Sequence, residues 1–196
     1  MPDFPGLRDT ALSVRAMLRQ AITLSDDPSL TGIEVDLRSP RQLELAPVTD
    51  VISLWTHRVE VQPDLINRSP QRLAPDLEAR RSLPVEVVMH ATAIFTDAPT
   101  ALLITGRILQ TVFDHRRLSD PNLLGALAGT GTELYLALES QTPYDAHLVW
   151  SSLQTAQLVG VAIRVSGLLI DSNLHTVPQS PVLTRRSTID QILESV

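Results

Sequence analysis

The sequence contains no cysteine. Disulfides, thiolate metal sites and thiol nucleophiles are thereby excluded, and the count fits a reducing compartment. Aromatic residues are scarce, at 4% of 196 positions, which argues against a base-stacking platform or an aromatic sugar cleft. Positive charge is in deficit: 16 basic residues face 22 acidic ones, for a formal charge of -6. That balance gives no net attraction to phosphate backbones or anionic lipid, so neither nucleic acid nor a membrane surface is an expected partner. No run reaches the roughly 20 apolar residues that span a bilayer. The start MPDFPGLRDT lacks a basic segment followed by an apolar run, so no signal peptide is expected and assembly in the cytoplasm is.

What is present is a 43% apolar composition dominated by aliphatic residues, enough to bury the core of one domain. Leu7, Ala11, Val14, Leu18 and Ile22 recur at helical spacing and predict an amphipathic helix over 7–24. IEVDL at 33–37, VISLWTHRVEV at 51–61 and the run 85–95 read as strands. Between the last two, residues 62–84 carry four prolines and read as an excursion from the sheet. ALLITGRILQTVFDHRRL predicts a long helix, with Asp97 as cap, Pro99 in the first turn, and an apolar face of Ala101, Ile104, Ile108, Leu109, Val112 and Phe113. Residues 119–131, with Pro121 and three glycines, predict a flexible loop. The strand 132–140 places Leu134, Leu136 and Leu138 on one side, a short helix follows from Thr142 to about Leu153, and the nearly continuous apolar run 159–170 reads as a central strand. The fold class this predicts is α+β: a single domain with a mixed, mostly antiparallel sheet and packed helices.

The motifs point away from chemistry. Gly125-Ala126-Leu127-Ala128-Gly129-Thr130-Gly131 has a helix before it and a strand after it, the reverse of a phosphate cradle. His57, His90, His115, His147 and His175 form no metal-ligand spacing, and His57 and His90 fall on strands, where they read as partly buried, hydrogen-bonded sheet residues. Thr142, Asp145, His147, Ser151 and Ser152 are close in sequence, but proximity along one helix does not make a triad. Asp114-His115-Arg116-Arg117 reads as the last turn of a helix, where cationic side chains meet exposed carbonyls. No catalytic residue, cofactor or metal ligand is assigned.

The order of segments does carry a resemblance. LPVEVVMHATAIFTD followed by ALLITGRILQTVFDHRRL, SLWTHRVEVQPDLINRSP before them, and ELYLALESQTPYDAHLVWSSL and AIRVSGLLIDS after them resemble the cap, or tail-terminator, proteins of extracellular contractile injection systems of the antifeeding-prophage and virulence-cassette kinds. The matching positions are Arg58-Val59, Pro63, Leu65 and Asn67, Leu83-Pro84, Gly106-Arg107, Leu109-Gln110, Asp114-His115 and Ile170-Asp171-Ser172. The resemblance implies a fold similar to phage tail terminators. It also implies a structural role: a ring, typically of six copies, that sits on the distal end of an inner tube, stops tube growth and ties the sheath to the tube. A phage tail terminator proper would share this physics, and an enzyme or ligand carrier would need a site built from distant residues.

Two regions with different jobs are expected, residues 1–172 forming the cap domain and 173–196 a tail for subunit or sheath contacts. After the last strand two prolines prevent regular continuation, while Val182, Leu183, Ile189, Ile192 and Leu193 stay apolar beside Arg185 and Arg186. Arg185, Arg186, Ile189, Ile192 and Leu193 are the candidate interface residues.

Overall fold

A computed structural model describes residues 4–66, 72–74, 77–78 and 82–172. Helix α1 (Gly6–Ala21) is followed by β1 (Glu34–Asp36), α2 (Pro40–Leu45) and β2 (Val51–Val61). Next come a single helical turn, α3 (Pro63–Ile66), the short strands β3 (Arg72–Ala74) and β4 (Leu77–Glu78), then β5 (Ser82–Ile94) and α4 (Ala98–Asp114). The chain continues through β6 (Arg117–Leu118), a 3-10 turn at Gly125–Leu127, β7 (Leu134–Glu139), α5 (Pro143–Leu153) and β8 (Gly160–Asp171). Six strands form one sheet in the order β1-β2-β5-β8-β7-β6. Only β1 and β2 run parallel and the other neighbours are antiparallel, which is the mixed, mostly antiparallel sheet the α+β reading predicts. β3 and β4 pair with each other outside it, so the 62–84 excursion does leave the sheet, although β5 begins at Ser82 rather than 85.

Alternation decides which residues reach the main core. Val85, Val87, Met89 and Ala91 of β5 share that core with Ile163 and Val165 of β8 and Leu54 of β2. Val14, Leu18 and Ile22 from the α1 segment and Ile104, Ile108 and Val112 of α4 cover them. Each such aliphatic side chain, once fully buried, contributes about 1.5–3 kcal/mol. The opposite face is covered too: Val88, His90, Thr92 and Ala162 are buried, as are Leu43 of α2 and Val149 and Trp150 of α5, all outside the main core. Thr155 Oγ1 donates to the Glu44 carboxylate at 2.9 Å, joining the α5–β8 connection to α2. Among the described residues no helix is long and apolar enough to cross a membrane.

The structure corrects the sequence reading in several places. Helix α2 was not foreseen, although Ser39 and Gln42 form a reciprocal capping box and Pro40 occupies the first turn. Arg117 is not helical. As part of β6 it pairs with Tyr135 of β7, which ends the helical reading of the Asp114–Arg117 cluster after its first member. Leu109 and Phe113 are not on the buried face of α4, where Thr105 and Thr111 stand instead, their hydroxyls donating at 2.8 Å to the carbonyls of Ala101 and Arg107. In β7, Leu134 and Leu136 are buried as predicted while Leu138 is exposed.

The glycine-rich loop is pinned rather than loose. Ser13 Oγ, on α1, accepts from Leu124 N at 3.0 Å, and the buried Asp9 carboxylate accepts from Ala126 N at 2.8 Å and from Arg8 Nε at 2.7 Å. Gly125 has φ +58, and a Cβ there would fall 2.4 Å from Asp9 Oδ2. Only glycine admits both the backbone angle and the close approach of that carboxylate. Leu127 is fully buried behind this contact.

Candidate functional site

The ionisable groups at the end of α4 are occupied by architecture. Asp97 caps the helix start, accepting from Thr100 N at 2.9 Å. At the other end His115 is the cap residue: its backbone N–H donates to Thr111 O at 3.0 Å, and its ring Nδ1 lies 3.0 Å from the same carbonyl. A carbonyl only accepts, so this contact places the ring proton on Nδ1. Arg116 Nε donates to Phe113 O at 3.2 Å, and its guanidinium stands 4.2 Å over the Phe113 ring. Arg117 is paired with Glu133. The Tyr135 hydroxyl, donating at 2.6 Å, and then Arg117 hold the Glu133 carboxyl below the usual carboxylate range. His115 and Arg116 thus serve the helix end as predicted, while Arg117 ties β6 to β7.

A second polar cluster lies on the sheet face opposite the main core, and it owes its composition to a bulge. Thr56 pairs with Met89 and Arg58 with Val88, so His57 is an extra residue in β2. The extra residue reverses the alternation, so that Trp55 before it and Arg58 and Glu60 after it share one face. His57 packs edge-on against Trp55 and His90, ring centroids 5.5 and 5.2 Å away. Gln141, just ahead of α5, places its amide nitrogen 2.9 Å from His90 Nε2. Burial, reinforced by the neighbouring His57, pushes His90 down to about 4. His57 is lowered as well, by burial and then by Arg58. Both imidazoles are therefore neutral near pH 7, and His90 accepts from the Gln141 amide.

Beside the histidines runs an ion-pair ladder. Glu139 accepts from Arg164 at 2.9 Å and from Arg58 at 3.3 Å. Arg58 also meets Glu60 at 2.8 Å, and Arg164 meets Glu86 at 3.6 Å. Glu60 and Glu86 are direct cross-strand partners, so the two arginines offset a like-charge pair that would otherwise oppose the register. Among the described residues no group of three His, Asp or Glu side chains is placed to hold a metal. The cluster fixes β2, β5, β8 and β7 to one another.

On α5, Asp145 accepts from Thr142 Oγ1 at 2.7 Å as part of the helix cap, while His147 Nε2 lies 3.3 Å from Ser151 Oγ one turn further on. The two carboxylate oxygens of Asp145 and the imidazole do not form a relay, and Ser152 donates instead to Val149 O at 2.7 Å. An open hollow of about 450 Å³ beside His147, Trp150 and Glu44 is a surface depression. Arg185, Arg186, Ile189, Ile192 and Leu193, the predicted interface residues, lie outside the described residues.

What the sequence reading missed is the outer face of α4. Leu102, Leu103, Leu109 and Phe113 are exposed, Leu109 by 41% and Phe113 by 59%. Leu102, Gly106, Leu109 and Phe113 follow one another at four-, three- and four-residue steps, which puts them on one stripe. The signal was in the sequence: a helix with apolar residues nearly all round has more apolar surface than one core contact can cover.

Comparison with known proteins adds the lineage of this fold. Residues 9–184 match the family model described as the Pvc16 N-terminal domain. The fold is similar to the sheath/tube terminator of an extracellular contractile injection system, PVC, in its extended state, with a TM-score of 0.66 and 16% identity over 95% of this chain. It is also similar to the tube-terminating cap of the anti-feeding prophage, with a TM-score of 0.63 and 16% identity over 93% of this chain. The chain spans 64% and 61% of the length of those two proteins. No curated protein matches it significantly. A family match that runs from within α1 past the end of β8 leaves no part of the described core outside it, and the chain belongs to the Pvc16 N-terminal domain family.

Proposed function

We propose that this chain is a structural cap of a phage-tail-like contractile injection system. It forms a ring of six copies on the distal end of the inner tube, where it blocks addition of further tube subunits and anchors the sheath. The observation that carries this reading is the likeness, across 95% of the chain, to a protein that terminates sheath and tube. The side-chain chemistry supports it: Asp9, His90, His115, Glu139 and Arg117 are each spent on holding elements together, which suits a subunit whose job is shape. Partners are then further copies of the chain, the tube and the sheath, with assembly in the cytoplasm before the particle is complete. The tail 173–196 serves contacts between subunits or with sheath. Gold-labelled antibody against the chain tests the placement on intact particles: label confined to one end, opposite the baseplate, is expected, and label along the shaft or on no particle overturns the reading.

A further inference from the structure

The exposed stripe on α4 has a notch in it. Gly106 lies between Leu102 and Leu109 on the outer face, and a Cβ built there meets no heavy atom within 4 Å. Its φ is not in the left-handed range, so neither backbone geometry nor packing against the described residues calls for glycine. Glycine in mid-helix is unfavourable relative to alanine, and a glycine inside an apolar stripe is what lets a second helix approach closely. The described domain therefore carries an apolar seat about 17 Å long, the rise from Leu102 to Phe113, with a central dent.

The same chain carries a segment of matching character. Ile189, Ile192, Leu193 and Val196 recur at i, i+3, i+4 and i+7, and Thr188 and Gln191 stand three residues apart at the head of the run, the pattern of a capped amphipathic segment. Fourteen residues from Asn173 to Arg186 join it to the domain and can span up to about 50 Å. The cap reading chooses between occupants. A closed ring of more than two copies needs unlike surfaces in contact, whereas α4 packed on α4 would close at two. Resting on that reading, we infer that α4 is the seat for residues 187–196 of the adjacent copy, an Ile or Leu of that segment entering the notch at Gly106.

Because the chain has no cysteine, the contact can be trapped without background. Whole chains carrying L109C are mixed with whole chains carrying I192C and oxidised, with L148C, on the exposed side of α5, as the control partner for I192C. A reductant-reversible dimer in the first mixture and none in the second is expected. A Gly106→Leu chain should keep its circular-dichroism spectrum and melt no lower than the unmodified chain, yet need at least tenfold higher concentration to form rings. Rings of unmodified chains without the L109C–I192C link, or with the link found only inside one chain carrying both cysteines, overturn the inference alone. Rings unaffected by Gly106→Leu do the same. A chain that stays monomeric at every concentration and gives no link overturns the ring reading and this seat with it.

Discussion

His115 shows how much a conspicuous residue can carry without chemistry. Its contacts are to Thr111 O, at the carbonyl end of α4, and a favourable group there contributes a few tenths to about 1 kcal/mol. His115→Gln should lower unfolding free energy by no more than that in urea titrations, and leave particle assembly intact; a folded His115→Gln protein that forms no particles would contradict the architectural role. His90 is the more consequential histidine. Its folded value of about 4 lies below the ordinary 6.5, with Trp55, His57, Gln141 and Glu139 around it. The unfolded chain therefore binds a proton that the folded chain refuses between those limits, so stability is fully present above about pH 6.5 and falls as pH drops toward 4. A shift of about 2.5 units corresponds to a loss on the order of 3 kcal/mol over that window. Replacing His90 with glutamine should remove about one proton from the pH slope of unfolding measured between pH 4 and 6.5. An unchanged slope would show that His90 is protonated in the native state.

At the level of elements, two glycines give opposite expectations. Gly106 of α4 has open space around it and an ordinary φ, so Gly106→Ala should stabilise the isolated chain by about 0.5–1 kcal/mol. Gly125 sits at φ +58 against Asp9, so Gly125→Ala strains the backbone and displaces the carboxylate that satisfies Ala126 N. A loss of at least about 2 kcal/mol is expected, from left-handed strain plus an unsatisfied buried donor. Thermal melts of the two variants should move in opposite directions. These elements also mark what the sequence disclosed. Helix α1 and strand β7 are legible because each has a local period, and β2, β5 and β8 because β-branched and apolar residues run together over strand length. Helix α2 was overlooked although Ser39-Pro40-Arg41-Gln42 signals a start, because six residues leave too short a period to detect. β6, two residues long, exists only through its pairing with β7. The His57 bulge, which sets Trp55, Arg58 and Glu60 on one face, depends on cross-strand register that no local pattern encodes. Leu109 and Phe113 were assigned inward because apolar content alone does not say which of two faces meets the core.

For the molecule as a whole, the buried apolar cluster among the described residues runs from Ala11 to Leu168 and is built from helices α1 and α4 and the sheet. Truncation after Ser172 should therefore leave a soluble domain with a cooperative melt, while ring formation is lost; an insoluble product would show that the tail belongs to the domain's own core. The central claim, that the chain stops tube growth by occupying its end, concerns particles rather than the isolated protein. It is tested most directly by electron microscopy of particles from a strain lacking this chain. The account predicts tubes of irregular length with open distal ends and detached or collapsed sheath, restored to uniform length when the chain is supplied. Particles of normal, uniform length with a closed distal end in its absence would contradict it.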